Sequence, residues 1–113
     1  MNWRDLMCGE AGSERVGERL TLAGWVDSRR DHGGLVFIDL RDRTGICQLV
    51  LNPERAPEAF EKTHAIRNEF VLRAEGELVK RAPEAVNPNI PTGEVELQVD
   101  QLEILSTSTP LPF

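Results

Sequence analysis

No apolar run in this sequence approaches the ~20 residues of a membrane-spanning helix. The first twenty residues, MNWRDLMCGEAGSERVGERL, lack the apolar centre of a signal peptide, so the expected location is the cytoplasm. Cysteine is scarce. Cys8 and Cys47 are the two present, and their spacing matches neither a zinc pattern nor a redox pair. They and the two histidines, His32 and His64, read as packing or surface residues. Positive charge is also short: 13 Lys and Arg against 19 Asp and Glu leave a net charge of −6 and a pI near 4.9. Sequence-independent nucleic-acid binding leaves a basic footprint. Its lack argues against a non-specific binder of that kind and leaves room for a few directed contacts. No Ser-His-Asp set, metal cluster or phosphate-cradling glycine loop occurs, so no catalytic centre and no cofactor are expected in this segment.

What is present is a period of two. A chain of 113 residues with 40% hydrophobic content is one domain with one core. In RLTLAGWVDS, Leu20, Leu22 and Val26 share a face opposite Thr21 and Asp27. In GLVFIDLRD, Val36, Ile38 and Leu40 alternate with Leu35, Phe37, Asp39 and Arg41. Cys47, Leu49 and Leu51 alternate with Ile46, Gln48 and Val50. EFVLRAEGELV and EVELQV repeat the pattern, which is that of half-buried antiparallel strands. Asp31-His32-Gly33-Gly34 and Arg43-Thr44-Gly45 supply the turns.

One segment breaks the period. PERAPEAFEKTHAIRN is rich in Ala and Glu and predicts a short helix opening at Pro53. Residues 80–93 have three prolines and a closing glycine and predict a long ordered loop. After Val99 the apolar phase resumes at Leu102, a slip that predicts a bulge in the last strand. The order is β-β-β-α-β-β. The expected class is therefore all-β: an OB-fold, a five-stranded Greek-key barrel with its helix between strands three and four. Some other five-stranded β-rich sandwich is the alternative. Residues 1–105 form the domain, and 106–113 read as the start of an interdomain linker.

OB-folds bind single strands on the face of strands two and three, between two flanking loops. Phe37 lies on the mixed polar face of strand two, where its ring can stack on an unpaired base. Gln48 has the non-core parity of strand three, and its amide both donates and accepts. Arg29 and Arg30 reach the first loop; Lys80 and Arg81 open the second; Glu94 and Glu96 begin the last strand. The plain alternative pairs Arg29 and Arg30 with Asp27 and Asp31 as surface ion pairs of small worth. General single-strand binding and protein interaction through the same face both stay open.

The wording of the chain narrows these. LAGWVDSRRDHGGLVFIDLRDRTGICQLV, the CGE start, RNEFVL and above all VNPNIPTGEVEL resemble the N-terminal anticodon-binding domain of bacterial-type aspartyl-tRNA synthetases, over residues 7–113. The resemblance implies a parent enzyme that joins aspartate to its tRNA with ATP and Mg. The class II catalytic domain would lie beyond the linker and make the enzyme a homodimer. It implies that Phe37 stacks on the central base of a G-U-C anticodon, that Gln48 reads that base, and that Arg30 and Asp31 contact it or its backbone. Arg81, Asn87 and Glu96 would serve the outer bases. His32 would sit where the family sets whether asparagine tRNA is also charged; histidine resembles the relaxed members, although Glu84 stands where those often have glycine.

Overall fold

The computed structural model describes residues 8–90 and 92–107. Five strands close into one barrel: β1 (Arg19–His32), β2 (Leu35–Asp42), β3 (Gly45–Leu51), β4 (Val71–Lys80) and β5 (Val95–Ser106). Among the described residues one α-helix, α1 (Pro57–Lys62), lies between β3 and β4. Around the barrel the order is β1-β2-β3-β5-β4, with β4 returning to β1. This is the OB-fold expected from the alternation. The last strand reaches Ser106, and residues 108–113 of the expected linker lie outside the described residues.

Closure depends on the length of β1. Its first half, Arg19–Trp25, pairs with β4, and its second half, Trp25–His32, pairs with β2. A bulge at Asp27 separates the pair Val26 and Leu40 from the pair Ser28 and Asp39, and lets the strand turn the corner. The bulge expected after Val99 is at Asp100: Gly76 faces Val99, while Glu75 faces Gln101.

The alternating apolar residues fill the interior. Leu22, Ile38, Leu40, Leu49, Leu72 and Leu97 are fully buried and belong to one cluster. The outer face of β3 departs from expectation. Gln48 and Val50 are buried at 6% and 2% exposure: Arg30 and Glu96 hold the two ends of the Gln48 amide, and β5 runs alongside Val50.

The helix begins later than predicted. Asn52 holds the preceding turn: its side-chain oxygen accepts from the Glu54 amide at 2.9 Å, and its carbonyl accepts from Arg55 and Ala56. Pro53 is thereby kept in the turn, and Pro57 takes the first helical position. Ala59, Thr63 and Ile66 form the buried side of α1 and of the short 3-10 turn after it.

At the far edge, Asp42 ties the N-terminal turn to the β2–β3 hairpin. Its carboxylate accepts from the Cys8 amide at 2.7 Å and from the Thr44 amide and hydroxyl at 2.8 and 2.6 Å. Burial pushes that carboxyl up, but these hydrogen bonds outweigh it and hold Asp42 below its ordinary value. Both cysteines are buried thiols, and burial pushes the Cys47 thiol up to about 12.

Candidate nucleic-acid interface

Two tight turns set the register of the candidate face. Gly33 and Gly34 take positive φ values of 61° and 84° and fold β1 onto β2, with His32 opposite Leu35. Arg43 and Thr44 fold β2 onto β3, with Asp42 opposite Gly45. Between these turns Arg30 faces Phe37, Ser28 faces Asp39, and Asp39 faces Gln48. The Asp27 bulge gives Ser28 and Arg30 their outward position. Arg29, paired with Ile38, is turned to the other side.

The outer side chains form a connected row across β1, β2, β3 and β5. Ser28 Oγ donates to Asp39 Oδ2 at 2.8 Å. Arg30 Nη1 donates to Ser28 Oγ at 2.8 Å and to Asp39 Oδ2 at 2.9 Å. Arg30 Nη2 donates to Gln48 Oε1 at 3.0 Å. Gln48 Nε2 donates to Glu96 Oε1 at 3.0 Å, and Gln98 Nε2 donates to Glu96 Oε2 at 3.3 Å. Phe37, half-buried, lies in the next register step between Arg30 and Val50.

The cluster has one cation, Arg30, and two carboxylates, Asp39 and Glu96, so it is not a phosphate trap. It combines an aromatic side chain with an amide whose two ends are already oriented. Such a face suits a flat, neutral, hydrogen-bonding group such as an unpaired base. Among the described residues no cluster of His, Cys, Asp and Glu could hold a metal ion, and no helix is long and apolar enough to cross a membrane.

Arg30, Phe37, Gln48 and Glu96 are thus brought together as one constellation. Other candidates are placed elsewhere. Asp31 does not join Arg30; it pairs with Arg29 at 2.8 Å, and Arg29 Nε donates to the Thr63 carbonyl at 3.0 Å. The plain alternative therefore holds for Arg29 with Asp31, whereas Arg30 pairs with Asp39 and Asp27 pairs with Arg41. Arg81 is only 8% exposed, because its guanidinium braces the 80–93 loop by donating to the carbonyls of Val95 and Ala85. Thr92 holds the other end of that loop by donating to the Ile46 carbonyl. Asn87 is half-buried and shapes the same loop. Its Oδ1 accepts from the Asn89 amide at 3.0 Å, and its own amide donates to the Gly93 carbonyl at 2.9 Å. His32 is exposed at the tip of the β1–β2 hairpin, and Glu84 is exposed in a 3-10 turn.

Sequence reasoning left out Ser28, Asp39 and Gln98 as members of the site. The signal for Asp39 was available: it shares the parity of Phe37, and a two-residue turn at Arg43-Thr44 puts it opposite Gln48. Nothing comparable pointed to Ser28, whose facing depends on the bulge.

Residues 20–105 match the model of the tRNA anti-codon family, an OB-fold nucleic acid binding domain. The chain belongs to this family. That OB-fold domain is 58% identical over 110 residues to the aspartate–tRNA(Asp/Asn) ligase of Caldanaerobacter subterraneus subsp. tengcongensis, covering 97% of this chain and 19% of the ligase. It is 52% identical over 110 residues to the aspartate–tRNA ligase of Geobacillus kaustophilus, covering 97% and 19%. The chain therefore spans about a fifth of the length of these relatives. Among solved structures it is similar to asparaginyl-tRNA synthetase from Pyrococcus horikoshii, with a TM-score of 0.76 and 30% identity over 95% of this chain and 23% of the synthetase.

Proposed function

We propose that this OB-fold is the anticodon-binding domain of an aspartate–tRNA ligase and holds the G-U-C anticodon loop of aspartate tRNA. The observation that carries the reading is the oriented Gln48 amide, clamped between Arg30 and Glu96 beside the Phe37 ring. The similarity to named aspartate–tRNA ligases supports this choice of tRNA. In this reading Phe37 stacks on the central uridine and Gln48 pairs with its edge. Arg30 keeps its Nε–H for the same base or the backbone. Glu96 and the loop shaped by Arg81 and Asn87 border the outer bases.

The parent enzyme joins aspartate to tRNA with ATP and works as a homodimer in the cytoplasm. In this reading the step that uses ATP and Mg belongs to a catalytic domain separate from this OB-fold. The exposed His32 at the hairpin tip supports a relaxed enzyme that also charges asparagine tRNA, and several similar ligases are named for both tRNAs.

A titration of the chain with stem-loops bearing GUC, GUU or scrambled anticodons, at two salt concentrations, tests this. Preference for GUC over scrambled loops with a shallow salt dependence is the expected result. Equal binding of all loops with a steep salt slope makes the domain a general single-strand binder. Failure to bind RNA makes it a protein-interaction domain. Aspartylation of both tRNAs by the full-length enzyme tests the role of His32.

A further inference from the structure

We infer that Asp39 is a positioning residue that determines which base edge the face accepts, by holding the Gln48 amide in a single orientation. The inference rests on the reading above, that an unpaired base lies on Phe37 against Gln48. A glutamine amide has an oxygen end and a nitrogen end of nearly the same shape, so left alone it can turn over. Here each end meets a group that tolerates one of them. A guanidinium only donates, so the end facing Arg30 Nη2 at 3.0 Å is the oxygen. An ionised carboxylate only accepts, so the end facing Glu96 Oε1 at 3.0 Å is the nitrogen. A turned amide loses both hydrogen bonds and sets donor against donor and acceptor against acceptor.

Each end of the clamped amide keeps one function, a lone pair on Oε1 and an N–H on Nε2. Uracil presents its N3–H next to the O4 acceptor. Cytosine presents the reverse order, its N4 amino group next to the N3 acceptor. For a base stacked in one place, a clamped amide matches one order, whereas an amide that turns over serves both. The clamp thus makes Gln48 a discriminator.

Arg30 cannot supply this restraint by itself. Its side chain is 47% exposed and long, and the groups that anchor its guanidinium are Asp39 at 2.9 Å and Ser28 at 2.8 Å. Asp39 is bonded to Arg30 and Ser28, so it acts through Arg30.

The test uses the 113-residue chain with Asp39→Asn and, as a milder variant of the same anchor, Ser28→Ala. Affinities for GUC and GCC stem-loops are measured along with melting temperatures. The Gln48 side-chain amide protons are followed by nuclear magnetic resonance in the free protein. Asp39→Asn should lower the GUC-to-GCC affinity ratio by about three- to ten-fold, the worth of one hydrogen bond, chiefly by improving GCC binding. Ser28→Ala should lower it less. Exchange of the Gln48 amide protons should quicken in the same order. If wild type does not prefer GUC to GCC, the base-reading role of Gln48 fails. If wild type does prefer it and both variants keep the ratio, or lose affinity for both loops equally, the positioning role of Asp39 is overturned. Should Asp39→Asn unfold the chain, Ser28→Ala alone decides by the same ratio.

Discussion

Two outer faces of one barrel are furnished with arginines and carboxylates, and they are used differently. On the face of β1, β4 and β5, charge meets opposite charge. Asp100 accepts from Arg19 and from Arg55, each at 2.7 Å, Arg55 also approaches Glu77 at 3.5 Å, and Arg73 pairs with Glu103. On the face of β1, β2, β3 and β5 the ion pair of Arg30 and Asp39 orients a neutral amide beside an aromatic ring. The first arrangement joins strands that are distant in sequence. The second leaves hydrogen-bonding groups oriented but incompletely used. Arginine content alone therefore does not locate a binding face; what the guanidinium is next to does.

The largest effect should come from the backbone beneath the first face. A Cβ on Gly76 would lie 1.9 Å from the Gln98 carbonyl oxygen and 2.9 Å from the Val99 Cα. β5 cannot stay in register beside alanine. Gly76→Ala should cost more than about 4 kcal/mol in denaturant unfolding, with RNA binding lost only as the folded fraction falls. Binding lost from a folded variant would break the separation of the two faces.

Phe37→Ala should act in the opposite sense. Binding of the GUC stem-loop should weaken by about 1–3 kcal/mol, the worth of a stacked base, while the barrel stays folded. Unchanged affinity in titration calorimetry would make the ring a piece of surface packing.

Asp100→Ala should be the smallest. It removes the shared partner of Arg19 and Arg55 and should cost about 1 kcal/mol of stability, as expected of a partly exposed charge network, with RNA binding unchanged. The same residue predicts a pH dependence. Hydrogen bonding from Arg55, and then from Arg19, holds the Asp100 carboxyl below its ordinary value against the opposing effect of burial. A depressed folded-state pKa gives stability that is present above the unfolded value of about 3.9 and is lost as pH falls through the folded one. Melting profiles between pH 6 and pH 3 should therefore fall less steeply for Asp100→Ala than for wild type. Parallel profiles would show that Asp100 contributes nothing through its charge.

The strands were legible because burial on one side imposes alternation, and Val36, Ile38 and Leu40 show it without interruption. The bulge at Asp100 was legible for the same reason, as a phase slip between Val99 and Leu102. The helix start was not, because Asn52 keeps Pro53 in a turn through contacts that a proline signal does not encode. Within the site, Phe37 and Gln48 were found from parity. The separation of Asp31 from Arg30 was not, since neighbours in sequence face opposite sides of a strand and choose partners in space.

The sequence by itself determined the five strands, the presence of a helix between the third and fourth, and the aromatic and amide on the second and third, because hydrophobic period and turn chemistry are local properties. Only the tertiary structure decided which arginine faces the candidate base. A straight continuation of β1 from Leu20, Leu22 and Val26 would turn Ser28 and Arg30 into the core. The bulge at Asp27, formed where β1 leaves β4 to pair with β2, turns them outward to Asp39 and Gln48. Which way Arg30 points follows from how the strands close around one another, and no alternation within β1 records it.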